Sequence, residues 1–270
     1  MKKVLKISLV TIFWIGIWYL AVLVYSSING MNLTYNPLFP YPHDVLKSLL
    51  SLVTEGDYYL ATLSTLLRTL ISIVIATALG FGCAVLCSRF NFIHALIKPM
   101  LATIKSVPVT VFVFILYLII FDFTSMFITI LMVFPIVFSN IYESIQNIDK
   151  ELLDVCRVFK IPFVKRVKSL YLPTIMPYFV SALTSSIGLA WKAGVAAEAL
   201  CPPKTSMGHN ISLANQNLDN EELFAWALTL VIINIIFELL FNKLIKIAFK
   251  KWIRVEVKNE NKKLEQALWR

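Results

Sequence analysis

The stretch IYESIQNIDKELLDVCRVFKIPFVKRVKSLYLPTIMP, residues 141–177, is the one long amphipathic segment between two very apolar ones. It carries six bases: Lys150, Arg157, Lys160, Lys165, Arg166 and Lys168. Asp149 stands where a helix N-cap would, its carboxylate free to accept from the first unbonded N–H groups. Behind it Leu152, Cys156 and Phe159 fall at i, i+4 and i+7, flanked by Leu153 and Val155, which predicts one apolar stripe on a short helix. Lys160-Ile161-Pro162 interrupts that helix, because proline has no N–H and disfavours helix in the residue before it. A second short helix is expected with Phe163, Val164, Val167, Leu170 and Tyr171 on one side, ended by Pro173 and again by Pro177. The segment therefore reads as a helix–turn–helix knob in water between two membrane spans. Its stripe suits two uses equally: lying on a membrane surface or on the chain's own spans, or docking into a partner's groove.

Working outward, the chain has 270 residues, 58% of them hydrophobic and 15% charged, with a mean hydropathy of +0.75. Those values exclude disorder and argue against an ordinary soluble domain. The net charge of +9 is placed unevenly. With six spans and both termini inside, Lys and Arg number three at the N-terminus, three in 88–106, six in 143–173 and nine from Asn242 onward. Outside fall only Lys47 and Lys204, so the bases set orientation rather than recognise nucleic acid. The four cysteines, Cys83, Cys87, Cys156 and Cys201, form no CxxC pair and indicate neither a disulfide framework nor a zinc site.

An apolar run over 7–25 after Met1-Lys2-Lys3 is long enough, at about 30 Å, to be a retained first span rather than a signal peptide. Residues 26–59 are more polar and belong outside, with Asp44 capping a short helix. The second span covers 60–87, with Arg68 anchoring its outer end and Gly80 and Gly82 allowing close helix approach. Residues 89–106 turn in the cytoplasm. The apolar run 107–141 exceeds one crossing and is expected to form two short spans joined by a tight outer turn at Asp122-Phe123-Thr124-Ser125, with Pro108 and Pro135 kinking or ending them. Residues 174–197, rich in small and hydroxyl side chains including Ser185, make the fifth span, 201–222 an outer loop and 223–247 the sixth. This divides the chain into a first helix with an outer segment (1–59), a core (60–250) containing the 143–173 loop, and a basic cytoplasmic tail (251–270). The fold class is all-α, a polytopic membrane helix bundle.

Three charges lie at or near membrane depth: Lys192, Glu198 and Glu238. Such charges are costly and are paired, interior or functional. Lys192 and Glu198 near the outer end of span five mark, with Ser185, a candidate solute pathway; interfacial anchoring is the competing reading. Trp191 is expected in the aromatic belt, and Glu238 facing the interior or water.

Several residues together resemble the permease subunits of ATP-binding-cassette importers. That family's cytoplasmic loop runs Glu-Ala-Ala, three residues, Gly, nine residues, Ile-x-Leu-Pro. Here Asp154-Val155-Cys156 holds the first positions, Lys160 stands where the family has Gly, and Leu170-Tyr171-Leu172-Pro173 matches the end. A positive φ at that turn is uncommon for a residue with a Cβ. Lys98-Pro99, Ser106-Val107-Pro108, the run Asp149 to Leu153 and the run Ala190 to Glu198 resemble the nitrate/sulfonate/taurine branch. The resemblance covers roughly 60–250. It implies a permease with no catalytic site and no cofactor, in a bacterial cytoplasmic membrane. It implies docking on a separate ATP-binding-cassette ATPase through Leu153, Asp154, Val155, Cys156, Arg157, Phe159, Lys160, Leu172 and Pro173. It implies an external solute-binding protein, a second permease copy as a homodimer, and a small anion or a vitamin precursor as solute.

Absent motifs agree with this. There is no GxxxxGK[ST] loop to cradle ATP, no HExxH and no GxSxG. A membrane enzyme would need clustered polar residues in its spans, and a scaffold protein would show no ATP dependence; both stand behind the importer reading.

Overall fold

The computed structural model describes residues 2–30, 36 and 38–250, and every regular element among them is helical. The basic tail expected at 251–270 lies outside the described residues. Helix α1 (Lys2–Ile28) is followed by α2 (Pro42–Val53), α3 (Gly56–Arg89), α4 (Asn91–Ser106), α5 (Val109–Ile120) and α6 (Thr124–Gln146). Then come α7 (Lys150–Val158), α8 (Phe163–Arg166), α9 (Leu172–Leu200), α10 (Met207–Gln216) and α11 (Asn220–Ala248). Among the described residues, five helical stretches are long and apolar enough to cross a membrane: Ser8–Ile28, Gly56–Arg89, Val109–Gln146, Phe163–Leu200 and Asn220–Ala248.

The third of these stretches is a hairpin. Phe121 sits at φ +42 and opens a single 3₁₀ turn, Phe121–Phe123, between α5 and α6. Phe112 of α5 and Phe134 of α6 line the same groove. On a straight helix they would stand about 33 Å apart, so the chain reverses at the turn. The expected pair of helices joined by a tight turn is thus present, with α5 about 18 Å long and α6 about 34 Å. Pro108 caps α5, whereas Pro135 lies inside α6 without ending it. A proline is tolerated there because neighbouring helices re-satisfy the freed carbonyl.

The helices fall into two compact units. The first comprises Met1–Thr65 and Glu198–Ile233. Its aromatic side chains fix α1: the Trp18 indole donates to the Pro40 carbonyl at 3.2 Å, Tyr19 stacks against His43 and bonds its ring nitrogen at 2.9 Å, and Phe224 packs on both Trp18 and Phe39. Most of α1 is exposed apolar surface, as a span facing lipid requires.

The second unit comprises Leu66–Ala197 and Asn234–Arg270. Here α3 meets α6 at Gly80, where an added Cβ would stand 3.0 Å from Val137 and 3.2 Å from the Phe134 carbonyl. Gly82 has nothing within 4 Å, so of the two glycines only Gly80 serves a close crossing. A second crossing is at Gly194 of α9, which meets the hydroxyls of Thr129 and Thr69. Trp191 is 3% exposed and packs on Phe237 at 5.9 Å. It belongs to the core of this unit, not to an interfacial belt, because α11 covers that face. Glu238 is half-buried, a carboxylate oxygen 4.0 Å from where a Cβ would stand on Gly188, in keeping with an inward orientation.

Residues 89–106, expected as a cytoplasmic turn, form the amphipathic helix α4 instead. Pro99 lies inside it.

Candidate functional site

The knob is built from local rules. The Asp149 carboxylate accepts from the Glu151 N–H at 2.8 Å, capping α7 as expected. Nine residues later the helix closes on a left-handed turn. The Lys160 N–H donates to the Arg157 carbonyl at 3.1 Å, and the Ile161 N–H to the Cys156 carbonyl at 3.0 Å. That pair of bonds is the Schellman arrangement, which places the residue after the C-cap in the left-handed region. The residue there is Lys160, at φ +47. The glycine conformation is therefore kept without glycine, at the steric cost of a Cβ in that region.

No residue of α7 is buried. Its outward face consists of Leu152, Val155, Val158 and Phe159, the last two 76% and 75% exposed. Phe163 and Val164 of α8 extend the exposed apolar surface. Leu153 and Cys156 are half-buried, so they lie off that face. Asp154 and Arg157 form an exposed ion pair at 2.9 Å beside it. Such a pair contributes little to stability and stays available to a partner. Sequence spacing placed Cys156 on the stripe and passed over Val158, because helical periodicity identifies an apolar face without saying which edge of it the neighbouring helices cover.

Past the turn the expected second helix does not stop. Helix α8 runs through a π turn, Val167–Tyr171, straight into α9, and Pro173 and Pro177 both lie within the continuous run. The expectation that these prolines end the helix is thus overturned. The Leu172 N–H donates five residues back to Val167. This wider turn leaves room for the Pro173 ring, which would otherwise meet the preceding carbonyls. Leu172 and Pro173 are consequently half-buried at the root of a spanning helix, apart from the exposed α7 face.

The candidate pathway residues divide likewise. Ser185 and Lys192 are seven residues apart on α9 and both exposed, on one helix face. Glu198 is 1% exposed. Its carboxylate accepts from the Thr65 hydroxyl at 2.8 Å, and that hydroxyl oxygen accepts from the Met207 N–H, the first of α10, at 3.0 Å. Gly208 presses on Glu198 so closely that a Cβ there would overlap the Glu198 Cβ and carbonyl carbon. Glu198 therefore organises a buried polar junction in the first unit. A signal for it was present in the sequence: Thr62, Thr65, Thr69 and Ser72 recur at helical spacing along α3, and all four are buried. Beside the junction, burial pushes the Cys201 thiol pKa up.

No group of three or more His, Cys, Asp or Glu that could hold a metal occurs among the described residues. What the geometry offers is an exposed apolar knob, capped at both ends and attached to a long apolar helix.

Comparison with known proteins gives the family. Residues 76–252 match the family model described as binding-protein-dependent transport system inner membrane component. The chain is 21% identical over 206 residues to a putative aliphatic sulfonates transport permease, SsuC, of Bacillus subtilis (strain 168), covering 76% of this chain and 74% of that protein. It is 23% identical over 223 residues to probable ABC transporter permease proteins of Brucella melitensis biotype 1 and Brucella abortus (strain 2308), covering 82% of this chain and 86% and 85% of those proteins. With its apolar spanning helices this is a multi-pass protein of the bacterial inner membrane, a permease and not an enzyme. The chain belongs to the family of binding-protein-dependent transport system inner membrane components.

Proposed function

We propose that this chain lines the solute pathway of an ATP-driven importer and couples it to a separate ATPase through residues 149–173. The observation that carries this reading is the outward face of α7. Leu152, Val155, Val158 and Phe159 form an apolar surface on a helix with no buried residue, fixed at one end by Asp149 and at the other by the Lys160 turn. Helix-in-groove docking uses such a face. Because α8 continues into α9, a rigid push on the knob passes directly to a spanning helix. Both termini then face the cytoplasm, in line with the distribution of Lys and Arg.

The partners are two ATPase subunits, an external solute-binding protein and a second copy of this chain. The solute is a small anion of the sulfonate or nitrate kind, or a vitamin precursor. The name of the Bacillus subtilis relative supports the former, and Ser185 with Lys192 on the exposed face of α9 would contact it. The core of the transporter is 60–250.

The test is affinity purification of the full chain from membranes, with partners identified by mass spectrometry. The wild type should retain an ATP-binding-cassette ATPase. Asp154→Ala with Phe159→Ala should insert normally and lose it. Retention of the ATPase by that double variant sinks the docking assignment.

A further inference from the structure

Helix α4 has a position that the coupling reading leaves unused. His94 stacks on Tyr142 of α6 at 4.5 Å, and the Lys105 ammonium donates to the Ser139 hydroxyl at 3.2 Å. Eleven residues of α4 separate His94 from Lys105, about 16 Å, while their partners on α6 are three residues apart, about 4.5 Å. Helix α4 therefore crosses α6 steeply. Because α6 spans the membrane, α4 lies near the membrane plane. Its polar side carries His94, Lys98 and Lys105 at i, i+4 and i+11, and its other side carries Leu96, Met100 and Ile104. An in-plane helix with bases on one side and apolar residues on the other is the interfacial pattern.

Under α4 lies a groove of about 540 Å³. It is lined by Leu79 and Cys83 of α3, Met100 and Ile104 of α4, Phe112 of α5 and Phe134 of α6. Leu79 and Met100 are about half exposed, so the groove is open to the bilayer. Its one hydroxyl, that of Thr103, is committed to the Pro99 carbonyl at 3.0 Å. A polar solute would find no free hydroxyl, amide or charge there, while hydrocarbon fits. Lys105 directly follows Ile104 of the groove wall; its ammonium, with three donors, bonds the Ser139 hydroxyl, and among the described residues no carboxylate pairs with it. Lys98 stands exposed two turns earlier on the same face.

We infer that α4 and this groove hold an anionic phospholipid of the cytoplasmic leaflet, its phosphate on Lys105 and Lys98 and one acyl chain between α3, α4, α5 and α6. Basic sites beside spanning helices on the cytoplasmic side take anionic headgroups in this way. The leaflet rests on the orientation given under the proposed function; the site itself does not.

Native mass spectrometry of the delipidated full chain tests this, with equimolar dioleoyl phosphatidylglycerol and dioleoyl phosphatidylcholine added. Wild type should retain the glycerol lipid about fivefold over the choline lipid. Lys98→Gln with Lys105→Gln should bring the ratio to parity. Met100→Trp, or Leu79→Trp at the opposite wall, should fill the groove and lower retention of both lipids. Equal retention by wild type, or an unchanged ratio in the lysine variant, overturns the site. So does a tryptophan variant that leaves lipid binding intact but breaks a dimer of this chain, since a second copy would then cover the groove. ATPase recovery, scored on the same preparation, reports separately on the importer reading.

Discussion

The Thr65 hydroxyl donates to a Glu198 carboxylate oxygen at 2.8 Å, joining residues 133 positions apart, and the same oxygen atom of Thr65 accepts the Met207 N–H. One side chain thus bonds a buried carboxylate and the first N–H of α10, whose N-terminus Ser206 also caps. Thr65→Val keeps the volume and removes both bonds, leaving a buried N–H without its acceptor. The expected cost is about 1–3 kcal/mol. Thr65→Ser should restore most of it. Gly208→Ala should be at least as damaging, since its Cβ has to displace backbone rather than a side-chain tip. Thermal unfolding in detergent, followed by tryptophan fluorescence, reads all three. A Thr65→Val protein as stable as wild type would show that the junction contributes nothing.

The turn at Lys160 makes a prediction of the opposite sign. A side chain in the left-handed region costs roughly 1–2 kcal/mol, part of which glycine gives back as chain entropy. Lys160→Gly should therefore stabilise the end of α7 by up to about 1 kcal/mol. Lys160→Val, branched at Cβ, should destabilise it. Hydrogen exchange at residue 161, whose N–H closes the turn on Cys156, should slow in the first variant and quicken in the second. Faster exchange in the glycine variant would contradict the strain argument.

Much of this molecule was legible from its residues. The Asp149 cap, the hairpin near Asp122, the left-handed demand at Lys160 and the inward Glu238 each follow from local chemistry that tertiary packing does not reverse. Other readings went astray where packing decides. Pro173 and Pro177 break a helix in water, but here a π turn makes room for Pro173 and both lie within one continuous helical run. Trp191 has the composition of an interfacial anchor, yet Phe237 covers it. Ser185, Lys192 and Glu198 looked like one pathway group, but only the first two are exposed, because Thr65 and Gly208 close over the third. No single-helix pattern announces which distant side chain will arrive.

Cys201 provides a pH test outside the spans. Burial disfavours its thiolate, so its pKa lies above the ordinary thiol range and the reactive form is scarce near neutral pH. Maleimide labelling should be slow at pH 7.5 and accelerate only as pH climbs past that range, whereas the half-buried Cys156 of the knob should label sooner. Unfolding exposes a thiol that ionises at a lower pH than the folded one, so the contribution of Cys201 is present below the ordinary thiol pKa and is lost as pH rises through the raised value. Cys201→Ala should therefore flatten the alkaline limb of a stability curve. Labelling of Cys201 at the same rate before and after denaturation would show that the thiol is not shielded.

The sharpest discrimination within the knob sets Val158 against Cys156. Both lie in the segment matched to the importer loop, and spacing alone favours Cys156. In the structure Val158 is 76% exposed and Cys156 half-buried. If the exposed face enters a groove on an ATPase, Val158→Asp puts an unpaired charge into an apolar contact, and truncating a central contact residue there costs about 1–2 kcal/mol or more. ATPase affinity should then fall about tenfold or further in Val158→Asp and in Leu152→Ala. Cys156→Ser and Leu153→Ala should leave that affinity within a few-fold of wild type and instead lower thermal stability, because their side chains face the protein. Affinity can be read by titrating the purified ATPase against the detergent-solubilised chain. The reverse pattern, with Cys156→Ser losing the ATPase and Val158→Asp keeping it, would mean that α7 rotates on binding and that the face exposed in the isolated chain is not the one the partner meets.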